Sequence, residues 1–597
     1  MTEYAAPQRD MQFILHELLN VEQLTKLTGY EEATTDVIDA IIEESAKVAE
    51  EVLFPLNQPG DQQGCVFENG VVRTPDGFKE AYEQFTEAGW SALSADPAYG
   101  GQGLPKAVRL LVDEMVCSAN LSFGMYPGLT MGAYNAIHKH GTEEQKALYL
   151  PKMVEGRWSG TMCLTEPQCG TDLGLIRTKA EPGEDGSFAI TGTKIFISAG
   201  EHDLTQNIIH LVLARLPDAP EGIKGISLFL VPKFLPNEVG EVGPRNSVAC
   251  GSIEHKMGIK ASATCVMNFD GAKGWLVGEP HRGMRAMFTM MNDARLEVGI
   301  QGLGVAETAY QSAVTYARDR RQGRALTGTK DPENSADSIM VHPDVRRMLL
   351  TMRAFNEGAR ALAYWIGVQL DISEKHPDPE VRQAADDLVA LMTPIIKAYF
   401  TDEGFHNAHL GIQCMGGHGY IAEWGMEQLL RDARITLLYE GANGVQALDL
   451  IGRKLPSHFG RLLRRFFHPV MALIEEHQTD QDLQEFVLPL AKAFSRLQQV
   501  TLHVAQQGLK NPDEAGAASV DYLRLFALVS LAFMWTKMVK VAREKLKAGA
   551  NGDASFYEAK IATARFFMTK ILPENSALFA QIMAGAEPIM AFEDDAF

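Results

Sequence analysis

A chain of 597 residues, 46% hydrophobic and 22% charged, is long enough to build several cores and has the balance of a globular protein rather than a disordered or fibrous one. Its formal net charge of −21 repels phosphate backbones and anionic lipid, which argues against nucleic acid or a membrane surface as the main partner. Small anionic ligands remain open, since they need only a local basic cluster. The first ten residues show no basic segment leading into an apolar one, and no run approaches the roughly 20 uninterrupted apolar residues of a membrane span. The seven cysteines, Cys65, Cys117, Cys163, Cys169, Cys250, Cys265 and Cys414, are odd in number, scattered and free of C-x-x-C pairs. The expectation is reduced thiols in a cytoplasmic setting, with no disulfide framework, no metal site and no membrane insertion.

Residues 1–158 read mostly as helices. D-V-I-D-A-I-I-E-E-S-A-K-V-A-E-E-V (36–52) places apolar residues at i, i+3, i+4. The loop D-P-A-Y-G-G-Q-G-L-P (96–105) interrupts that pattern. Over 159–283 the texture turns to short β-prone runs: F-A-I-T (188–191), K-I-F-I-S (194–198), I-I-H-L-V-L-A (208–214), I-S-L-F-L-V (226–231) and T-C-V-M-N-F (264–269). Many short strands with polar turns predict a sandwich or small barrel. Long helical periods return over 284–455, in segments 295–318, 344–355 and 381–415. A further helical region, 456–597, has about four amphipathic segments with breaks at 511–516, 548–553 and 572–575. The predicted fold class is α+β multidomain: an N-terminal helical domain, a central β-barrel or sandwich, a helical bundle, and an extra C-terminal helical domain.

Four stretches carry chemistry. M-C-L-T-E-P-Q-C-G-T-D (162–172) offers backbone N–H groups and short hydroxyls to an acceptor-rich ligand, or is simply a Pro/Gly loop. T-Y-A-R-D-R-R-Q-G-R (315–324) carries Arg318, Arg320, Arg321 and Arg324, which either fork onto phosphates or complement a helix C-terminus. Q-C-M-G-G-H-G-Y (413–420) allows close backbone approach, or is a helix cap. In I-T-L-L-Y-E-G-A-N-G-V-Q (435–446), a single acid, Glu440, stands between an apolar run and a Gly-Ala-Asn-Gly turn. It is either a base kept in a dry place or an acid favoured at the start of the next helix.

Taken in this order on this layout, the four stretches resemble the acyl-CoA dehydrogenase family over roughly residues 40–455. T-E-P-x-x-G-[ST]-D and K-I-F-I-S-A-G resemble its two flavin loops, and A-R-x-R-x-x-G-R its arginine segment. Q-x-x-G-G-x-G-[YF], R-D-A-R-I and Y-E-G resemble its C-terminal signature. The N-terminal lead Y-x-A-P-x-R-D-M-x-F and the tail after 456 resemble the long bacterial branch that includes 3-methylmercaptopropionyl-CoA and related fatty acyl-CoA dehydrogenases.

The resemblance implies FAD as cofactor, an acyl-CoA substrate, an electron-transfer flavoprotein as acceptor and a homodimer with composite FAD sites. It implies Glu440 as the catalytic base, with burial raising its basicity. Flavin contacts are implied for Met162, Leu164, Thr165, Gly170, Thr171, Phe196, Ser198, Ala442 and Gly444. Arg320, Gln322, His342, Gln413 and Gly417 are implied to reach the FAD of the dimer partner. Thr171, Asn292, Arg295, Tyr439 and Gly441 are implied at the substrate. Family members with the base elsewhere carry it where this chain has Ala294. Two departures stand out: Ala442-Asn443-Gly444 lacks the usual Thr after Y-E-G, and Gly323-Arg324 replaces Phe-Gly. The competing readings are an acyl-CoA oxidase, a flavin monooxygenase of similar fold, which the Y-E-G acid counts against, and a DNA-binding relative. Residues 456–597 hold 15 Lys/Arg against 16 Asp/Glu, a poor duplex-binding surface.

Overall fold

The computed structural model describes residues 2–597. The chain forms two compact units. One comprises residues 47–104 and 115–297, the other residues 1–46, 105–114 and 298–597.

The 47–297 unit is built around β-structure. Asn207–Arg215 and Ile226–Pro232 are buried at almost every position, so both faces of each strand are covered, as in a closed or doubly packed sheet. Ile226–Pro232 pairs antiparallel with Asn207–Arg215 and with Thr264–Val277. Thr264–Val277 pairs with Phe188–Ser198, which joins Lys179–Pro182, which reaches back to Asn207–Arg215. The neighbour path therefore closes on itself as a small barrel. Trp158–Cys163 adds a parallel strand on Asn207–Arg215, and Val248–Ile253 flanks Thr264–Val277. Helices Leu121–His140 and Glu143–Val154 pack Tyr134, Ile137, Tyr149 and Leu150 against Trp158, Leu211 and Leu213.

Two sequence expectations change here. The runs 188–191 and 194–198 form one strand, because Gly192 carries the extended chain past Thr178 where a Cβ would sit 2.4 Å from its Oγ1. The N-terminal region also contains a hairpin, Val66–Glu68 with Val71–Arg73, turned by Asn69 and Gly70 at positive φ.

The other unit is helical. Pro343–Lys375 and Pro379–Met415 form a long packed pair, and the 298–319 part of helix Gly283–Asp319 crosses the second of them. At that crossing a Cβ on Gly404 would lie 2.4 Å from the Gly302 carbonyl oxygen, so two glycines let the backbones touch. Of the tail helices, Arg461–His477, Pro512–Lys547 and Ala554–Phe566 pack onto this pair, and Gln484–Gly508 and Asn575–Met583 pack on Pro512–Lys547. Trp535 Nε1 donates to the Ala354 carbonyl (3.2 Å), and Arg461 and Arg465 both reach Asp387. Pro512–Lys547 is long and apolar enough to cross a membrane by length and composition, and 83% of that window is buried in the fold. It is the core helix of the tail. The predicted break at 511–516 shrinks to its first residue, because Pro512 serves as the helix's first residue behind an Asn511 cap.

The N-terminal lead is tied into the same unit by buried charge. Asp10 accepts from Arg360 Nη1 (2.5 Å) and from Lys560. Arg360 also reaches Glu114 and Glu307, and Lys560 reaches Glu357 (2.8 Å).

Candidate active site

The T-E-P loop and the K-I-F-I-S segment belong to the barrel unit and are pinned to one another. Glu166 folds back through a two-bond bridge with Cys169, making a tight turn of E-P-Q-C. Its buried carboxylate accepts from five donors: Lys194 Nζ (2.8 Å), Thr178 Oγ1 (2.6 Å), Gln168 Nε2 (2.6 Å), Arg177 N (2.8 Å) and Thr178 N (3.1 Å). Lys194, fully buried, also donates to the Leu164 carbonyl (3.0 Å), and Ile195 N donates to Thr165 O (2.9 Å). Burial would push the Glu166 carboxyl up, but the Lys194 charge and the hydrogen bonds outweigh it and hold it at about 2. The loop is thus built around a charged pair that bonds to both of its arms.

Around this pin the expected residues take distinct settings. Met162 lies in strand Trp158–Cys163. Met162, Leu164, Thr165 and Ser198 are half-buried, and Gly170 and Thr171 are exposed. Phe196 has φ +59° and is 59% exposed. A bulky residue in left-handed conformation is uncommon and costs backbone energy, and such residues cluster at ligand sites. Asn292 is exposed on helix Gly283–Asp319. Arg295, one turn on, is buried with its guanidinium 5.8 Å from the Phe288 ring centre.

In the helical unit, Arg320, Gln322 and His342 share one loop. His342 Nε2 donates to the Gln322 carbonyl (2.8 Å), and Ile339 N donates to Arg320 O (2.8 Å). Buried Asp337 organises the loop by accepting from the amides of Ala325, Asp331 and Lys330, which hold its carboxyl down at about 2. Arg324 turns into the same loop, onto Asp337 (3.2 Å) and the Asp331 carbonyl (2.8 Å), so it is not an outward-facing cation. The glycine turn lies next to this loop: Tyr316 and His418 hydrogen-bond at 2.8 Å, and His418 stacks on Trp424. The side chains of Arg320, Gln322 and Gln413 are exposed and bond to nothing among the described residues. A Cβ on Gly417 would meet nothing within 4 Å. Free guanidinium and amide donors beside bare backbone suit an anionic, acceptor-rich ligand.

The Glu440 turn lies in this same unit, after the 3₁₀ turn Ile435–Leu437. Glu440 and Gly441 take successive positive φ values, +59° and +89°. Glu440 is half-buried and Leu438 is 51% exposed. The dry surroundings expected of the base are therefore not complete here. The Glu440 and Gly441 carbonyls face inward, to Gln446 Nε2 (3.2 and 3.4 Å), and Lys397 Nζ also donates to Gly441 O (2.8 Å). Tyr439 Oη donates to Gln301 on the crossing helix, which makes it an anchor of the turn. Asn443 directs its amide back to Ala398, Thr401 and Asp402, so the missing hydroxyl after Y-E-G is not replaced by the Asn443 side chain. Ala442 precedes helix Asn443–Asp449 as its N-cap, and Gly444 is exposed.

Glu166, Lys194 and Lys397 hold the site without being expected among its residues. Lys194 and Lys397 are lone charges in β-prone or apolar runs, the same signal that singles out Glu440, whereas Glu166 sits within the T-E-P loop itself.

Comparison with known proteins agrees with this layout. Family models match in chain order: acyl-CoA dehydrogenase N-terminal domain (36–157), middle domain (161–272) and C-terminal domain (281–455), then an acetyl-CoA dehydrogenase C-terminal-like model (466–593). The chain is 45% identical to a 3-methylmercaptopropionyl-CoA dehydrogenase of Ruegeria pomeroyi, over 97% of this chain and 98% of that one. It is 36% identical to a broad-specificity linear acyl-CoA dehydrogenase of Mycobacterium tuberculosis over the full length of both. A Bacillus anthracis acyl-CoA dehydrogenase solved with FAD superposes with TM-score 0.75 at 21% identity, over 94% of this chain and 90% of that one. With matching domains in order and relatives alike from end to end, the chain belongs to the acyl-CoA dehydrogenase family.

Proposed function

We propose that this protein is an FAD-dependent dehydrogenase that converts an acyl-CoA thioester to its trans-2-enoyl-CoA. 3-Methylmercaptopropionyl-CoA and short linear acyl-CoAs are the first substrates to test. The observation that carries the reading is the Y-E-G turn, where bonds to the Glu440 and Gly441 carbonyls hold the backbone of a lone acid in left-handed conformation.

The residues fit the cofactor. The exposed Phe196 ring suits a flat ring system, the pinned 162–172 loop presents backbone and hydroxyl groups, and Arg320, Gln322 and Gln413 offer donors suited to pyrophosphate and adenine. When bound, FAD supplies an acceptor for the hydride leaving the β-carbon. Glu440 takes the α-proton onto a carboxylate oxygen. On this reading the Glu440 backbone N–H donates to the thioester carbonyl, whose oxygen gains charge as that proton leaves. Ala294 offers no acid at the alternative base position, so the proton falls to Glu440 alone. Electrons pass onward to an electron-transfer flavoprotein, the working assembly is a homodimer, and the setting is cytoplasmic.

Glu440→Gln is the test. Gln is nearly isosteric but cannot accept the proton. The purified variant should keep its FAD and lose at least about a thousandfold in the rate of flavin reduction, since the base is used in the bond-breaking step. Reduction at near wild-type rate would remove Glu440 as the base.

A further inference from the structure

Lys397 stands in T-P-I-I-K-A-Y-F (393–400), in the middle of helix Pro379–Met415, and is completely buried. Burying an ammonium costs several kcal/mol unless its donors are satisfied. Here two of those donors point into the Y-E-G turn: Nζ donates to the Gly441 carbonyl (2.8 Å) and to Asn443 Oδ1 (2.9 Å). Asn443 is itself fixed by its amide to Thr401 Oγ1 (2.9 Å), Asp402 Oδ1 (2.8 Å) and Ala398 O (3.1 Å). Thr401 closes the ring by donating to the Lys397 carbonyl (2.8 Å).

We infer that Lys397 is a positioning residue for the Glu440 carboxylate, a role that rests on the reading of Glu440 as the base. A non-glycine residue at φ +59° carries a backbone penalty, and such conformations persist only where the surroundings over-determine them. The over-determining bonds are those to the carbonyls of Glu440 and Gly441. With both carbonyls turned inward, the Glu440 Cα–Cβ bond has one direction left. Without the Lys397 ammonium, the Gly441 carbonyl loses that partner and the turn can relax toward φ < 0, which swings the carboxylate away. A misplacement of about 1 Å at a reacting group is worth up to about a hundredfold in rate.

The experiment uses the full-length, FAD-loaded enzyme with Lys397→Met, Asn443→Ala and the Glu440→Gln control. Anaerobic flavin reduction is followed with 3-methylmercaptopropionyl-CoA and butyryl-CoA, each plain and deuterated at the α-carbon. Lys397→Met is expected to reduce its flavin roughly 10–100-fold more slowly per bound FAD. KM should stay within about threefold, because the turn's bond to the thioester carbonyl strengthens mainly as charge develops there, and the CoA is held elsewhere. The α-deuterium isotope effect should grow as proton removal becomes more limiting. A residue that only stabilised the fold would lower yield or melting temperature and leave the rate per flavin and the isotope effect alone. If Lys397→Met does not fold, Asn443→Ala reads the same clamp, with an expected loss of roughly 3–10-fold. A rate per flavin within twofold of wild type, in whichever of the two folds, overturns the inference. If Glu440→Gln is inactive while Lys397→Met is fast, only the positioning role fails. If Glu440→Gln remains active, the base assignment fails and takes this role with it.

Discussion

Lys194→Met tests whether the candidate flavin loop owes its shape to the buried pair. Lys194 is completely buried and Glu166 is 4% exposed, so water cannot replace the lost ammonium. Removing one partner of a buried pair costs roughly 3–5 kcal/mol. Four of the five hydrogen bonds to Glu166 survive, and bonds to a charged acceptor are worth about 1.5–3 kcal/mol each, which places the loss near the low end, about 3 kcal/mol. At roughly 2–4 °C per kcal/mol for a unit of this size, melting should fall by about 6–12 °C. The Leu164 carbonyl also loses its donor, so FAD should be retained less well. Calorimetry and flavin content per chain read both effects. The pH dependence supplies a second check. The folded Glu166 carboxyl lies at about 2 against an ordinary 4.5, so the pair's contribution is whole above 4.5 and drains away as pH falls toward 2. Wild type should therefore lose stability more steeply than Lys194→Met between about pH 5 and pH 3. A melting shift under about 2 °C with unchanged FAD content would refute the pin.

Arg320→Ala removes a free guanidinium and should weaken FAD retention more than it slows reduction in fully loaded enzyme, measured as flavin content after gel filtration. Lys560→Met leaves Asp10 and Glu357 short of a buried cation and should cost roughly 3 kcal/mol in urea unfolding, partly recovered in Asp10→Asn/Lys560→Met. Truncation near residue 456 uncovers Glu403, Glu357 and the Ala354 carbonyl, and should yield larger assemblies or aggregates by light scattering. An unchanged active dimer would mean that the tail does not limit assembly.

The long helical segments were legible because 381–415 and 295–318 keep the 3.6-residue period over many turns. The buried strands 208–214 and 226–231 were legible as unbroken apolar runs between turn residues. Strand Trp158–Cys163 was not, because W-S-G-T-M-C is short, small and polar, and becomes a strand only by parallel pairing with Asn207–Arg215. At the site, Glu440 was found as a lone acid in an apolar run and the loops by their glycines. Glu440 is half-buried in the fold, and the local apolar sequence alone does not tell how a reversal with two positive-φ residues is covered. Lys194 and Lys397 were overlooked because a lysine reads as a solvent-facing residue until its strand or helix neighbours are known to be covered.

The partners of Asp10 set the order in which this protein can be finished. Lys560 lies 550 residues downstream and Arg360 350. At a synthesis rate of about 5–20 residues per second, the N-terminal lead waits roughly 30 s to 2 min for Lys560 to be made. Meanwhile Met11, Phe13, Ile14 and Leu15, all without exposure in the finished fold, lack the part of their cover that the tail supplies. The first turns of the chain are thus among its last to settle. Nascent chains should engage holding chaperones through this lead, and a bulky N-terminal fusion should slow maturation more than a C-terminal one.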